Sequence, residues 1–257
     1  MPDLGRWDTC ITDIGNGAIA YRGRPVHDVI EHAELAEALW LVLFGSASTP
    51  GGVDAVRRAF IAALDHGVAA PSTLTARATA STHGPLPLAI AAGLIAFAGP
   101  AHGGAAEGAA EVFVRIVQRG SGSGAVREVL SAMLDAGERI PGFGHPYHDR
   151  DPRVPALMAG TESRRVHRDV AELVEAHLLE RTGKPLHMNA DAAVGALLLD
   201  AGLQPPDVTL ITALGRAVGL AAHAREERFG ERPFRAPALA SVSFHPPGER
   251  ESAEPDA

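Results

Sequence analysis

The chain carries one cysteine, Cys10, in 257 residues, and that scarcity removes several classes of protein. No internal disulfide can form, and no C-x-x-C pair exists to hold zinc. A reducing cytoplasm is the expected compartment, and Cys10 is expected to be an inert buried or interface residue. Aromatic residues make up only 5%, too few to suggest stacking platforms for bases. No run of lysine and arginine stands out in a chain of net charge −8, which argues against a nucleic-acid role. The longest apolar run, Leu86 to Ala101, is short for a membrane span and contains Pro87 and Pro100. It reads as a buried helix leading into the turn at His102. Residues Met1 to Cys10 are polar and charged, unlike a signal peptide.

What is present is helix. Hydrophobic residues make up 46%, enough for one large or two modest domains with a real core. Helical patterns run over 27–43, 53–66, 71–81, 86–97, 107–118, 126–136, 164–179, 191–201 and 207–229. In the 164–179 stretch Val166, Val170, Leu173, Val174 and Leu178 share one face, leaving Arg165, Arg168, Glu172 and Glu175 outside it. Strand signals are confined to 9–14 and 17–21, a short hairpin around Asn16-Gly17. Arg119–Gly124 reads as a plain surface connection. It lacks the lysine and the helix-opening threonine of a phosphate cradle. The fold class is mostly α. A large helical domain is expected over 1–148 and 215–245, a smaller helical domain over 149–214, and a polar, proline-bearing, disordered tail over 246–257. A small-molecule cleft is expected between the two domains.

The chemistry concentrates in three segments. Gly142-Phe143-Gly144-His145-Pro146 is followed by Asp151-Pro152-Arg153. The glycines let backbone approach a ligand, the histidine can polarise a carbonyl, and the arginine can clamp a carboxylate. The second segment is Gly99-Pro100-Ala101-His102-Gly103-Gly104-Ala105, and the third is Asn189-Ala190-Asp191. Taken alone, His102 could be a helix-cap histidine, and Asp191 could simply cap the helix that follows it. His145-x-x-His148-Asp149 could be read as metal ligands, but one loop without a second cluster is a weak metal site, and no metal is expected.

Together these segments resemble the signatures of the citrate synthase family. Weaker matches at Ile14–Gly23, Asp65-His66-Gly67 and Gly215-Arg216-Ala217-Val218-Gly219 extend the resemblance from about Ile11 to Pro237. The chain is much shorter than an ordinary member, with a long helical stretch almost absent between Gly45 and Asp65. This compact layout resembles stand-alone citryl-CoA lyases and the citryl-CoA lyase module of ATP-citrate lyase. Two positions depart from the family pattern: Ala106 stands where asparagine is usual, and Ala190 where valine is usual.

The resemblance implies a citrate synthase-like large domain plus a smaller one, and an enzyme acting at a carbon–carbon bond between an acyl-CoA enol(ate) and an α-keto acid. By resemblance, Asp191 is the base, His102 steadies the enol(ate), and His145 polarises the ketone. His66, Arg153 and Arg216 would bind substrate. Arg235, with Arg232 as its competitor, would be supplied across a homodimer or higher homo-oligomer interface. Backbone groups of Ile140, Pro141, Gly142, Phe143 and Gly144 would hold the coenzyme A adenine. Arg139, Arg150 and the Arg164-Arg165 pair are candidates for its phosphates. No permanently bound cofactor is implied, with the CoA thioester serving as substrate. Citryl-CoA cleavage is favoured by the chain's length, and citrate synthase-type condensation is the alternative. A non-catalytic CoA-binding regulatory partner is a further alternative. A separate CoA-ligase partner is a possible companion, and neither nucleic acid nor membrane is expected to bind.

Overall fold

The computed structural model describes residues 8–15, 17–45, 48–49, 51–145, 148–160 and 165–244. The expected tail, Asn16 of the hairpin turn and Arg164 lie outside the described residues.

Near the start, β1 (Thr12–Gly15), β2 (Ala18–Tyr21) and β3 (Arg24–Pro25) form an antiparallel meander with Thr12 opposite Tyr21. Arg22 fastens it to the helices by donating to the Val42 and Leu43 carbonyls, acceptors left over in a helix's last turn. Cys10 is exposed on this chain, within 2.8 Å of Arg22 Nη1.

The helix expected over 27–43 is two helices, α1 (Val26–His32) and α2 (Leu35–Phe44). Glu34 is extended (φ −66°, ψ 151°) and exchanges side-chain and backbone hydrogen bonds with Glu37. This capping box restarts the helix where composition alone shows no breaker. The next helix, α3 (Gly52–Ala62), stops short of His66. Asp65 turns its carboxylate onto the Gly67 amide (3.1 Å), a local bond that competes with continuing the helix.

α4 (Pro71–Ser81) and α5 (Leu86–Phe97) match their patterns, and α6 (Gly104–Gln118) and α7 (Ser123–Asp135) begin three residues early. A short α8 (Val154–Met158) was not legible as a separate element. α9 (Val166–Thr182) ends on left-handed Gly183, and α10 (Ala190–Asp200) and α11 (Pro205–Gly230) complete the helices.

The central element is α10. Ala190 and every residue from Ala192 to Leu199 are buried, as a helix that is apolar all round requires. Around it α3, α6, α7 and α9 close one continuous core, with Phe113, Ile116, Leu130, Leu178, Leu197, Leu198 and Ile211 sealed from solvent. Ala106, one of the departures from the family pattern, is enclosed in that core where α6 meets α10.

Arg168, expected outside the apolar face, is fully buried. Asp200, at the far end of α10, receives Arg168 Nε at 2.9 Å, His167 Nδ1 at 3.0 Å and the His167 amide at 2.7 Å. A carboxylate placed on the first amides of α9 satisfies donors that lack helical partners. It also neutralises a guanidinium that could not otherwise leave water.

Candidate active site

Four segments meet at the N-terminal end of α10: residues 65–72, the turn before α6, His145 with residues 148–153, and the start of α10 itself. They enclose a cavity of about 520 Å³ lined by Asp65, His66, His102, His145, His148, Asp151, Arg153, Asn189 and Asp191, among others. Five residues singled out from sequence therefore converge: His66, His102, His145, Arg153 and Asp191.

His102 stands edge-on to Phe97 (ring centroids 5.1 Å) and to His66 (5.6 Å). Its Nε2 meets Ser72 Oγ at 2.8 Å, and the same hydroxyl lies 3.3 Å from Arg216 Nε. A guanidinium only donates, so the hydroxyl accepts from Arg216 and its own proton is available to Nε2. With the hydroxyl donating to Nε2, the neutral His102 ring carries its proton on Nδ1. Burial, then the nearby Arg216 charge, holds its pKa below the usual imidazole value. Burial, reinforced by Arg216, Arg153 and His102, takes His66 down to about 4. Uncharged imidazoles in a desolvated pocket offer N–H donors to a carbonyl oxygen without adding net charge.

His145 follows the Gly142–Gly144 turn. The His148 amide donates to its Nδ1 at 3.2 Å, which leaves Nε2 as the protonated nitrogen of the neutral ring. Burial is the largest influence and keeps this imidazole's pKa below its ordinary value; Asp151 opposes the shift.

Asp191 lies in the first turn of α10, but it does not cap the helix. Asn189 does, accepting from the Asp191 and Ala192 amides through its side-chain oxygen. Burial pushes Asp191 up to about 6, with Arg153 pulling down and Asp151 pushing up. A carboxyl poised there is ionised near neutral pH and is basic enough to take a proton from carbon acidified by a thioester.

Arg153 is gripped by Asp151: Nε to Oδ1 at 2.9 Å and Nη2 to Oδ2 at 2.7 Å. Burial would raise the Asp151 carboxyl, but these bonds and the Ala190 amide (2.9 Å) hold it at about 2. Asp151 thus ties the arginine to the helix that carries Asp191. Within the Asp-Pro-Arg motif the chemistry of the arginine stands out, and nothing local marks Asp151 as its anchor. Ser72 was missed too, since nothing local marks a serine one residue inside a helix.

Arg216 is fully buried and stands behind the cavity wall. It donates to Asp65 (2.9 Å), to the Leu64 carbonyl, to Ser72 and to Thr73. Asp65 also meets His223 at 3.1 Å. A Cβ at Gly219 would overlap the Leu64 carbonyl oxygen, and one at Gly215 would press on that of Phe60, so these glycines let α11 lie directly on the end of α3. Arg235 points elsewhere on this chain. It pairs with Glu227 and Glu231, and its amide donates to Ser81 Oγ. Arg232 is exposed.

The 140–144 turn supports the cavity from outside its lining. Ile140 is buried, and Phe143 packs edge-on to Phe113. The Gly142 carbonyl accepts the Asn189 amide (3.0 Å), and the Gly144 amide donates to the His187 carbonyl (2.7 Å). Of the candidate phosphate ligands, Arg139 and Arg150 are exposed, whereas Arg165 is engaged with Asp169, Glu172 and the Met158 carbonyl. Among the described residues, no three His, Cys, Asp or Glu side chains are grouped to hold a metal ion. No described helix is long and apolar enough to cross a membrane.

A buried carboxyl, two neutral histidines and an arginine around one cavity, on helices of this arrangement, define a known class. The chain belongs to the citrate synthase family: the model of the citrate synthase C-terminal domain matches residues 42–236. Among solved structures it is similar to citryl-CoA lyase from Hydrogenobacter thermophilus, at 31% identity and a TM-score of 0.83, covering 95% of this chain and 96% of that one. The fold is also that of part of ATP citrate lyase from Methanothrix soehngenii, at 24% identity and a TM-score of 0.80, covering 97% of this chain and 43% of that one. "Putative citrate synthase 2" of Mycobacterium bovis is 28% identical over 207 residues, 78% of this chain. The chain spans about half (54%) of that relative's length.

Proposed function

We propose that the chain is a citryl-CoA lyase-like enzyme, breaking citryl-CoA into acetyl-CoA and oxaloacetate. The convergence of His102, His145 and Asp191 on one cavity carries this reading. Likeness to a lyase over nearly the whole of both chains favours cleavage. In the condensing direction Asp191 takes the α-proton of the thioester. Its electron pair moves into an enolate steadied by the His102 Nδ1 proton and attacks the ketone carbon, and His145 hands its Nε2 proton to the ketone oxygen. Cleavage reverses each step from the complementary protonation state, with the Asp191 carboxyl protonated and the His145 Nε2 proton given up: the alcohol proton goes back to His145, the carbon–carbon bond breaks, and Asp191 reprotonates the α-carbon, which returns both groups to their starting forms. Arg153 and His66 hold the keto-acid carboxylates. Arg216 acts from behind the wall by orienting Ser72 and His102. The 140–144 turn bears the adenine of coenzyme A.

A second reading, citrate synthase-type condensation, is favoured by the curated relative that bears that name. Purified protein given citryl-CoA, and separately acetyl-CoA with oxaloacetate, decides between them by mass spectrometry. Acetyl-CoA and oxaloacetate from the first mixture, with little citrate, support the lyase. Citrate and free CoA from the second support the synthase. Silence in both sinks both and favours a non-catalytic CoA-binding partner.

The working form in this reading is a homodimer. The surface we assign to it is the outer face of α4 and α5, where Leu74, Leu88 and Ile95 are exposed on helices with almost no charge. The division into a large domain and a small one over 149–214 is part of the same proposal, as is a separate ligase that supplies citryl-CoA.

A further inference from the structure

The side chain of Asn189 is used at both ends. Its Oδ1 accepts the Asp191 amide (2.9 Å) and the Ala192 amide (3.4 Å), capping α10, while its Nδ2 donates to the Gly144 carbonyl (2.9 Å). Serine and aspartate cap helices as well as asparagine does, so the cap alone does not call for an amide. The second bond does: an ionised aspartate has no donor, and serine has one short-armed oxygen where asparagine has separate Oδ1 and Nδ2 atoms for the two ends.

That bond joins the residue before His145 to the residue two before Asp191. Its surroundings are built for close contact. Gly142 sits at φ +84°, and a Cβ there would press into the Ala192 backbone at 2.9 Å, so the turn rests directly on the first turn of α10. Residues 142–144 and 187–189 run as a short antiparallel pair, with Phe143 bridged to Met188. From the far side, Glu175 accepts the Met188 amide at 2.8 Å.

We propose that Asn189 is a positioning residue: its amide clasps the turn bearing His145 to the helix bearing Asp191, and so fixes the separation of the two groups. This rests on the reading of His145 and Asp191 as the reacting pair. Misplacing a reacting group by about 1 Å costs on the order of a hundredfold in rate, so a loosened clasp acts on turnover before it acts on binding.

Asn189→Ser separates the two jobs, since its hydroxyl keeps a capping oxygen but is too short to reach the Gly144 carbonyl as well. The expected result is a melting temperature close to wild type, faster amide hydrogen exchange across residues 140–145, and a kcat at least about tenfold lower with an unchanged KM for the CoA ester. Asn189→Ala, which loses the cap as well, lowers the melting temperature in addition. Wild-type exchange in Asn189→Ser overturns the clasp, and faster exchange with wild-type kcat overturns its role in positioning. Should Asn189→Ser fail to fold, Asn189→Asp carries the same exchange comparison. A wild-type protein silent with both substrate mixtures removes the functional reading, while the exchange comparison still decides the clasp.

Discussion

The two ends of α10 carry the same residue type, each penalised by burial, with opposite outcomes. At the C-terminal end Asp200 is penalised by burial, yet bonds from His167, Arg168 and two backbone amides hold its pKa below the usual value. At the N-terminal end burial drives Asp191 up to about 6. Arg153 acts on it only through space, because its Nε–Nη2 edge is turned to Asp151. Burial alone does not set the charge of a carboxyl; the direct donors do. One end of the helix is therefore structural, and the other is left reactive.

The comparison breaks first at Asp191. Asp191→Asn is expected to lower kcat by about a thousandfold, within the range that acid–base groups supply, while CoA binding measured by calorimetry stays near wild type. Near-normal turnover would remove Asp191 from its role. At the other end, Asp200→Ala removes the carboxylate that Arg168 and His167 share in the interior and should cost about 3–5 kcal/mol of stability, or roughly 10 °C in Tm. A Tm within a degree or two of wild type would show that the pair contributes little.

A sharper form uses pH. The Asp191 pKa is raised from 3.8 to about 6 on folding, so its contribution favours the native state below pH 4 and is lost as pH rises through 6. Asp191→Asn should therefore be more stable than wild type at pH 8, by up to about 3 kcal/mol, and the gap should close toward pH 4. Wild-type turnover should decline on the acid side near pH 6. Asp200 has the opposite sign: its stabilisation is present above the unfolded carboxyl range and is lost as pH falls through its lowered folded value. Denaturant titrations across this range check both. The smallest effect is expected for Arg153→Ala. It should raise the apparent KM for oxaloacetate by about 10- to 100-fold with a lesser change in kcat, the scale of a lost charge-assisted contact. An unchanged KM would mean that the guanidinium does not hold the substrate.

The residues that meet at the cavity were legible because each lies in a short motif whose chemistry is local. His145 follows its glycine turn, His102 its Gly-Pro, and Arg153 its Asp-Pro. What escaped was assigned by partners far along the chain. Arg168 looks solvent-facing on a helical wheel until Asp200 arrives from 32 residues away. Arg216 likewise draws Asp65, Ser72 and Thr73 from far back along the chain. Helix identity was legible from periodicity. The break at Ala33-Glu34 was not, because two good helix formers hide a capping box.

Gly219 contributes no group to the cavity, yet α11 can lie against the Leu64 carbonyl only because this position has no side chain. That contact sets the depth of the wall holding Arg216 and, through Ser72, the ring of His102. A survey of random substitutions scored by activity would mark Gly219 as strongly as a reacting residue, although its whole contribution is thickness.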